Sequence, residues 1–280
     1  MTYSPPCRII ITRPRAQLDH LVSLVGHFTS LLGVSIPVTG LPLLEIVPNT
    51  ELGLKEQLIE GLENSNWVTF SSPNAFLVAN DMLLANQLEW PTHLRVAVVG
   101  GGTAQVIEDS RFKPKEILFP QNDNEWDSSG LLSAMQSHVS SWEGQKIMII
   151  KGQGGRDELA KSFQERGISY SELAIYRRTP LALTDPAWLN IIKLYQEDQV
   201  NVVHQKPTWV WVFTSSESIK NLSKSILDLQ ISESILKQSV AIVTHQRVAD
   251  SAQALGMREV HLAQAGDVGI TTKLIQILLK

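Results

Sequence analysis

A single cysteine, Cys7, in 280 residues has no partner for an internal disulfide, and no cysteines and histidines cluster at zinc-ligand spacing. Covalent staples and a structural zinc site are thereby excluded. No apolar run approaches the roughly 18 residues of a membrane span, and Met1-Thr2-Tyr3-Ser4-Pro5-Pro6 lacks the basic and long apolar regions of a secretory leader. A cytoplasmic protein with no membrane partner is expected. Net charge is only -4, from 24 Lys and Arg against 28 Asp and Glu, which leaves no basic bulk to neutralise a phosphate backbone. No nucleic acid partner is expected, whereas a small anion held at a local site is. With 43% hydrophobic residues and no long polar tract, the chain reads as an ordinary folded protein, long enough for two domains of roughly 100–200 residues.

What is present is a recurring unit of strand, loop and helix. Arg8-Ile9-Ile10-Ile11 is a β-branched strand stopped by Thr12-Arg13-Pro14, after which apolar residues from Leu18 to Phe28 recur at helical spacing until Gly33. The unit returns at 67–70 before Ser71-Ser72-Pro73-Asn74, where Ser72 suits an N-cap and Pro73 the first helical position. It returns at 96–99 before Gly100-Gly101-Gly102-Thr103-Ala104 and at 147–150 before Lys151-Gly152-Gln153-Gly154-Gly155-Arg156. Two more units follow, at 209–213 before Thr214-Ser215-Ser216 and at 240–243 before Thr244-His245-Gln246-Arg247. Continuous apolar strands alternating with helices define an α/β chain with parallel sheets covered on both faces, and ligands then belong at the carboxyl ends of the strands. Phe70 to Val99 spans 29 positions and Phe213 to Val243 spans 30, so two similar domains are expected.

The opening strand and the last two units read as one discontinuous domain, 1–39 with 179–280, and the three units between them as a second, 47–171. The extended segments 40–46 and 172–178 then make the two crossings and pair as a two-stranded connector, an arrangement that permits hinge motion about one axis. Residues 187–195 read as a helix and 196–206 as a polar loop.

Catalytic motifs are scarce. The seven histidines are scattered without HExxH, and no GxSxG elbow is present. His20 and His27 read as helix-surface residues. His245, directly after a strand, either caps a helix or meets a ligand. Ser71, Ser72, Ser215 and Ser216 stand where N-caps are expected, so capping competes with ligand contact at each. Gln105 occupies the third glycine position of GxGxxG after Gly100, Asp157 does so after Gly152, and Walker A is missing, so neither NAD nor ATP is expected. The loops do share backbone N–H groups and positive helix ends, which suit carboxylates. Arg13, Arg15, Lys151, Arg156 and Arg247 lie at or near those ends, where contact with a carboxylate competes with simple solvation.

Read in order, eight segments resemble the uroporphyrinogen-III synthase family. They are Ile11-Thr12-Arg13-Pro14, Pro42-Leu43-Leu44-Glu45-Ile46, Phe70-Ser71-Ser72-Pro73-Asn74-Ala75, Val99-Gly100-Gly101-Gly102-Thr103-Ala104, Lys151-Gly152 through Gly155-Arg156, Ala174-Ile175-Tyr176-Arg177-Arg178, Phe213-Thr214-Ser215 and Thr244-His245-Gln246-Arg247. The resemblance implies two flavodoxin-like domains, the first discontinuous, with the active site in a cleft between them. It implies a cyclising, dehydrating lyase of porphyrin biosynthesis: hydroxymethylbilane closes to uroporphyrinogen III with ring D inverted, through a spiro intermediate and with no cofactor or metal. Substrate contacts are then implied at Thr12, Arg13, Ser71, Ser72 and Asn74, at Gly102, Thr103 and Ala104, at Lys151, Gly152 and Arg156, and at Thr214, Ser215, Thr244 and His245. Tyr176 matches the family's tyrosine beside the connector, where it either assists the departing hydroxyl or packs as a strand residue. Gln246 departs from the proline common in relatives, and 181–206 is longer than the pattern requires.

A monomer is expected, with transient hand-over from hydroxymethylbilane synthase as its one protein contact. Two other classes stay open. A non-catalytic protein closing on an anionic ligand would bind the bilane tightly without turnover, and a transferase with a nucleotide-activated donor would bind nucleotide in a thermal-shift screen.

Overall fold

A computed structural model describes residues 7–33, 36–122, 125–154, 157–200, 208–257 and 259–279. In chain order its strands are β1 (Cys7–Ile11), β2 (Val38–Gly40), β3 (Leu44–Pro48), β4 (Trp67–Phe70), β5 (Arg95–Val98), β6 (Ile117–Leu118), β7 (Lys146–Gly152), β8 (Ser169–Pro180), β9 (Thr208–Phe213), β10 (Val240–Val243) and β11 (Glu259–Leu262). Its helices are α1 (Leu18–Leu31), α2 (Leu54–Glu63), α3 (Pro73–Ala85), α4 (Gly101–Glu108), α5 (Ser128–Gln136), α6 (Glu158–Glu165), α7 (Pro186–Val200), α8 (Ser216–Asp228), α9 (Ser234–Lys237), α10 (Gln246–Ala254) and α11 (Asp267–Leu278). Two compact units result, Met1–Glu45 with Thr179–Lys280, and Ile46–Arg178.

The first unit holds a parallel sheet in the order β2-β1-β9-β10-β11. Counted within the unit this is 2-1-3-4-5, the flavodoxin-like order. Its central strands are apolar on both sides because both faces are covered. Ile10 packs with Trp211, Phe213 and Ala241 on one face, while Ile9 and Ile11 pack with Leu21, Val25 and Val212 on the other.

The second unit holds six strands in the order β3-β8-β7-β4-β5-β6. Strands β4 to β8 are parallel, and β3 lies on the edge beside β8. Val68 and Phe70 of β4 face one core with Phe76 and Ile150, and Trp67 faces the other with Ala97 and Ile149. In this sheet the strand order reverses between β4 and β7, as it does between β1 and β9 in the first. Ligands of doubly wound sheets sit outside the carboxyl ends of the strands at such reversals.

The crossing segments pair with each other. Asn49 N–H donates to the Ile175 carbonyl at 2.9 Å and Leu181 N–H to that of Leu43 at 3.3 Å, so the two run in opposite directions. The returning strand is longer than 172–178, because its first half also pairs with β7, from Lys146 opposite Ser169 to Gly152 opposite Tyr176.

The expected helix and loop also need correction. The helix expected at 187–195 runs on to Val200, so 196–200 is not loop. Asp198 explains the extra turn: it is 5% exposed and accepts hydrogen bonds from Arg8 Nη2 at 2.7 Å and Trp209 Nε1 at 3.0 Å, which fastens the helix end to β1 and β9. The rest of that expected loop, 201–206, lies outside the described residues.

Candidate functional site

At the reversal in the second unit, β4 ends with Phe70 and the chain turns into α3. Ser71 N–H donates to the Ile150 carbonyl at 3.0 Å, keeping the turn attached to β7. Ser72 is extended, and its Oγ accepts the Ala75 N–H at 3.2 Å, so it is the N-cap that the Ser-Pro pair foreshadowed. The same Oγ lies 3.0 Å from Tyr176 Oη. Tyr176 reaches it from β8, buried among Phe70, Phe76, Ile150 and Ile175. A β-bulge between Lys151 and Gly152 shifts the register here, and Gly152 makes room for the phenol ring. Ser71 is exposed and Asn74 half-buried at the same strand end.

Three of the five cations expected to meet a ligand, Lys151, Arg13 and Arg15, are engaged by the protein's own carboxylates. Lys151 Nζ donates to Asp157 Oδ1 at 2.7 Å and Glu172 Oε1 at 2.6 Å. Burial pulls the Lys151 ammonium down, but the hydrogen bonds to both carboxylates outweigh it and hold the group above its ordinary value. Asp157 is held below its ordinary value, first by the hydrogen bond from Lys151 and then by its charge. In the first unit Arg13 Nη1 donates to Asp267 Oδ1, whose other oxygen lies 2.5 Å from His20 Nδ1, and Arg15 Nη2 donates to Asp185. Arg247 is exposed, and Arg156 lies outside the described residues.

At the end of β5, Gly100 is the N-cap of α4 with ordinary extended backbone. Space, not conformation, requires glycine there. A Cβ on Gly100 would stand 3.0 Å from Trp126 Cδ2 and one on Gly101 2.9 Å from Trp126 Cζ2, while nothing lies within 4 Å of such an atom on Gly102. The indole is held by a hydrogen bond from Nε1 to the Pro120 carbonyl at 3.0 Å. Thr103 and Ala104 are both buried, and their N–H groups close on the Gly100 carbonyl at 3.1 and 3.3 Å. Trp126 was missed from sequence; the adjacent glycines were the only local sign that something bulky packs on them.

At the reversal in the first unit, Thr12 is buried and its Oγ1 donates to the Val212 carbonyl at 2.7 Å, which ties β1 to β9. Thr214 follows β9, and Ser215 caps α8 by accepting the Glu217 N–H at 3.2 Å. Thr244 is buried after β10, and His245 stands exposed at the N-cap of α10. The expected residues therefore gather at strand carboxyl ends within each unit, with Tyr176 touching Ser72 and lying against Gly152. Among the described residues no group of three or more His, Cys, Asp or Glu is placed to hold a metal ion, and no helix is long and apolar enough to cross a membrane.

Fold and loops together define a doubly wound α/β protein of two units, with its polar residues at the ends of parallel strands. Residues 33–269 match the family model for uroporphyrinogen-III synthase HemD. The chain belongs to the uroporphyrinogen-III synthase family. It is 26% identical over 261 residues to the uroporphyrinogen-III synthase of Salmonella typhimurium, across 92% of this chain and 96% of that one. It is 27% identical over 170 residues to the uroporphyrinogen-III synthase of Proteus mirabilis, across 61% and 79%. The crystal structure of uroporphyrinogen-III synthetase from Helicobacter pylori aligns over 97% of this chain and 99% of that one, with a TM-score of 0.56 and 15% identity. A mutant uroporphyrinogen III synthase from Thermus thermophilus aligns over 98% of both, with a TM-score of 0.53 and 12% identity, and both likenesses are of fold.

Proposed function

We infer that this chain closes hydroxymethylbilane, a linear tetrapyrrole bearing acetate and propionate groups, to uroporphyrinogen III with loss of water and inversion of ring D. The observation that carries this reading is the family match over residues 33–269. Loss of the hydroxyl leaves an electrophilic azafulvene; attack by the substituted carbon of ring D gives a spiro intermediate that fragments and recloses. Uncatalysed closure gives the non-inverted isomer, so the work of the protein is to hold the chain in the geometry of the spiro route.

Helix starts at the strand ends suit that work. The first N–H groups of a helix have no intrahelical carbonyl, and in α3, α4, α8 and α10 they follow directly from the expected site loops. On this reading they take up the substrate carboxylates, with Ser71, Asn74, Gly102, Thr214, Ser215 and His245 around them. Lys151 and Arg13, screened by Glu172, Asp157 and Asp267, contribute less than their charges alone imply. Tyr176 assists the departing hydroxyl by proton donation. A monomer in the cytoplasm, receiving its substrate from hydroxymethylbilane synthase, completes the proposal.

The test supplies purified protein with freshly generated hydroxymethylbilane, oxidises the products and separates uroporphyrin isomers I and III. Enrichment of isomer III is expected. Isomer I alone from folded protein would overturn the reading and leave binding without turnover.

A further inference from the structure

Tyr176 is 2% exposed, and a buried phenol that donates to nothing is strongly disfavoured. Its hydroxyl lies 3.0 Å from Ser72 Oγ. That oxygen also accepts the Ala75 N–H at 3.2 Å. A serine hydroxyl has two lone pairs and one proton. With Ala75 on one lone pair and Tyr176 on the other, the proton of Ser72 remains available, and Ser72, unlike Tyr176, is only half-buried at the carboxyl end of β4.

We propose that Ser72 is the catalytic hydroxyl that touches the departing group, and that Tyr176 acts through it as the proton source behind. The proposal rests on the reaction inferred above. In the step, the carbon–oxygen bond of the hydroxymethyl group breaks and the electron pair leaves with oxygen, which takes the Ser72 proton and departs as water. Ser72 is restored by the Tyr176 proton, Tyr176 becomes phenolate, and the tetrapyrrole is left as the protonated azafulvene. The balancing proton is the α-hydrogen of ring D. It is released when that ring rearomatises after the last carbon–carbon bond forms, and it returns along the same two hydroxyls.

Four variants test this: Ser72→Gly, Ser72→Thr, Tyr176→Phe and the double Ser72→Gly/Tyr176→Phe. Glycine is an acceptable N-cap, so Ser72→Gly removes the hydroxyl while keeping the helix start. Expected is a fall in kcat for isomer III formation of about 100-fold in Ser72→Gly, the scale of general acid catalysis, with KM little changed and a lower thermal midpoint, because the buried Tyr176 hydroxyl loses its acceptor. Ser72→Thr restores most of the loss, and the double variant is no slower than Ser72→Gly alone. A purely structural role instead makes the kcat loss follow the thermal midpoint, so that the double variant, which leaves no hydroxyl of this pair unpartnered, recovers both. Such recovery, additive losses, or a Ser72→Gly kcat within about twofold of wild type, overturn the proposal while the reaction stands. Wild-type protein giving isomer I alone overturns the reaction and the proposal with it.

Discussion

The α-carbon of Gly152 lies against the ring of Tyr176: a Cβ there would stand 2.5 Å from Cζ and 2.8 Å from Oη, distances that real side chains do not tolerate. The two residues are opposite each other across β7 and β8, and Gln153 N–H closes the pairing on the Tyr176 carbonyl at 2.7 Å. Gly152→Ala is therefore expected to displace the phenol from Ser72 and to destabilise the fold by about 1–3 kcal/mol, the usual effect of overfilling a packed site. Urea unfolding measures the second effect. Isomer III formation should fall by more than the loss of folded protein explains, and a variant with wild-type stability and rate would show that the ring has room to move.

The glycine triplet divides in the same way. Gly101→Ala drives a methyl into the indole of Trp126 and is expected to destabilise by about 1–3 kcal/mol. Gly102→Ala meets nothing within 4 Å in the first turn of α4, and its effect on stability should be neutral or favourable by up to about 1 kcal/mol. Denaturation midpoints of the two variants decide the matter, and equal losses would contradict the packing account. In a Trp126→Ala background the penalty at Gly101 should largely vanish, because the atoms it strikes are gone.

How much of this was legible in the sequence follows from which residues are local to one another. Strands 67–70 and 240–243 were legible because every one of their residues is buried, as a parallel strand covered on both faces requires. Val38–Gly40, Ile117–Leu118 and Glu259–Leu262 left no such pattern, being short and largely half-buried or exposed. The cap at Ser72 was legible, since Ser and Pro adjoin in sequence. Its contact with Tyr176 was not, because 104 positions separate them and strand pairing alone brings them together. Asp198 misled for a physical reason. Flanked by Gln196, Glu197 and Gln199 it reads as solvated, and only the distant Arg8 and Trp209 make its burial possible.

That burial makes Asp198 a sensitive position. Its side chain is 7% exposed and that of Arg8 is 14%, so removing the carboxylate leaves a largely buried guanidinium with Glu197, at 3.3 Å, as its remaining acid. Asp198→Ala is expected to destabilise by about 3–5 kcal/mol, whereas replacing both partners with apolar residues, Arg8→Met with Asp198→Leu, should recover much of that loss. Chemical unfolding of the two singles and the double gives the coupling. Arg8 and Trp209 lie toward the amino ends of their strands, away from the expected site, so the rate per folded molecule should stay at the wild-type value.

Lys151, held by Asp157 and Glu172, predicts a dependence of stability on pH at both extremes. The Asp157 carboxyl is held below its ordinary 3.8, so the folded protein binds its proton less readily than the unfolded chain. Its contribution is complete above pH 3.8 and is lost as pH falls through the lower, folded value. Lys151 is held above its ordinary 10.5, since its hydrogen bonds to the two acids outweigh the burial that opposes them. Its contribution is complete below pH 10.5 and is lost as pH rises through the higher, folded value. Lys151→Met removes both effects, so wild type should exceed the variant in urea midpoint across the span between those limits, by a margin that salt reduces. The margin should narrow in acid and again in strong base. If it stays constant over the whole range, the lysine stabilises through the packing of its stem and not through its charge.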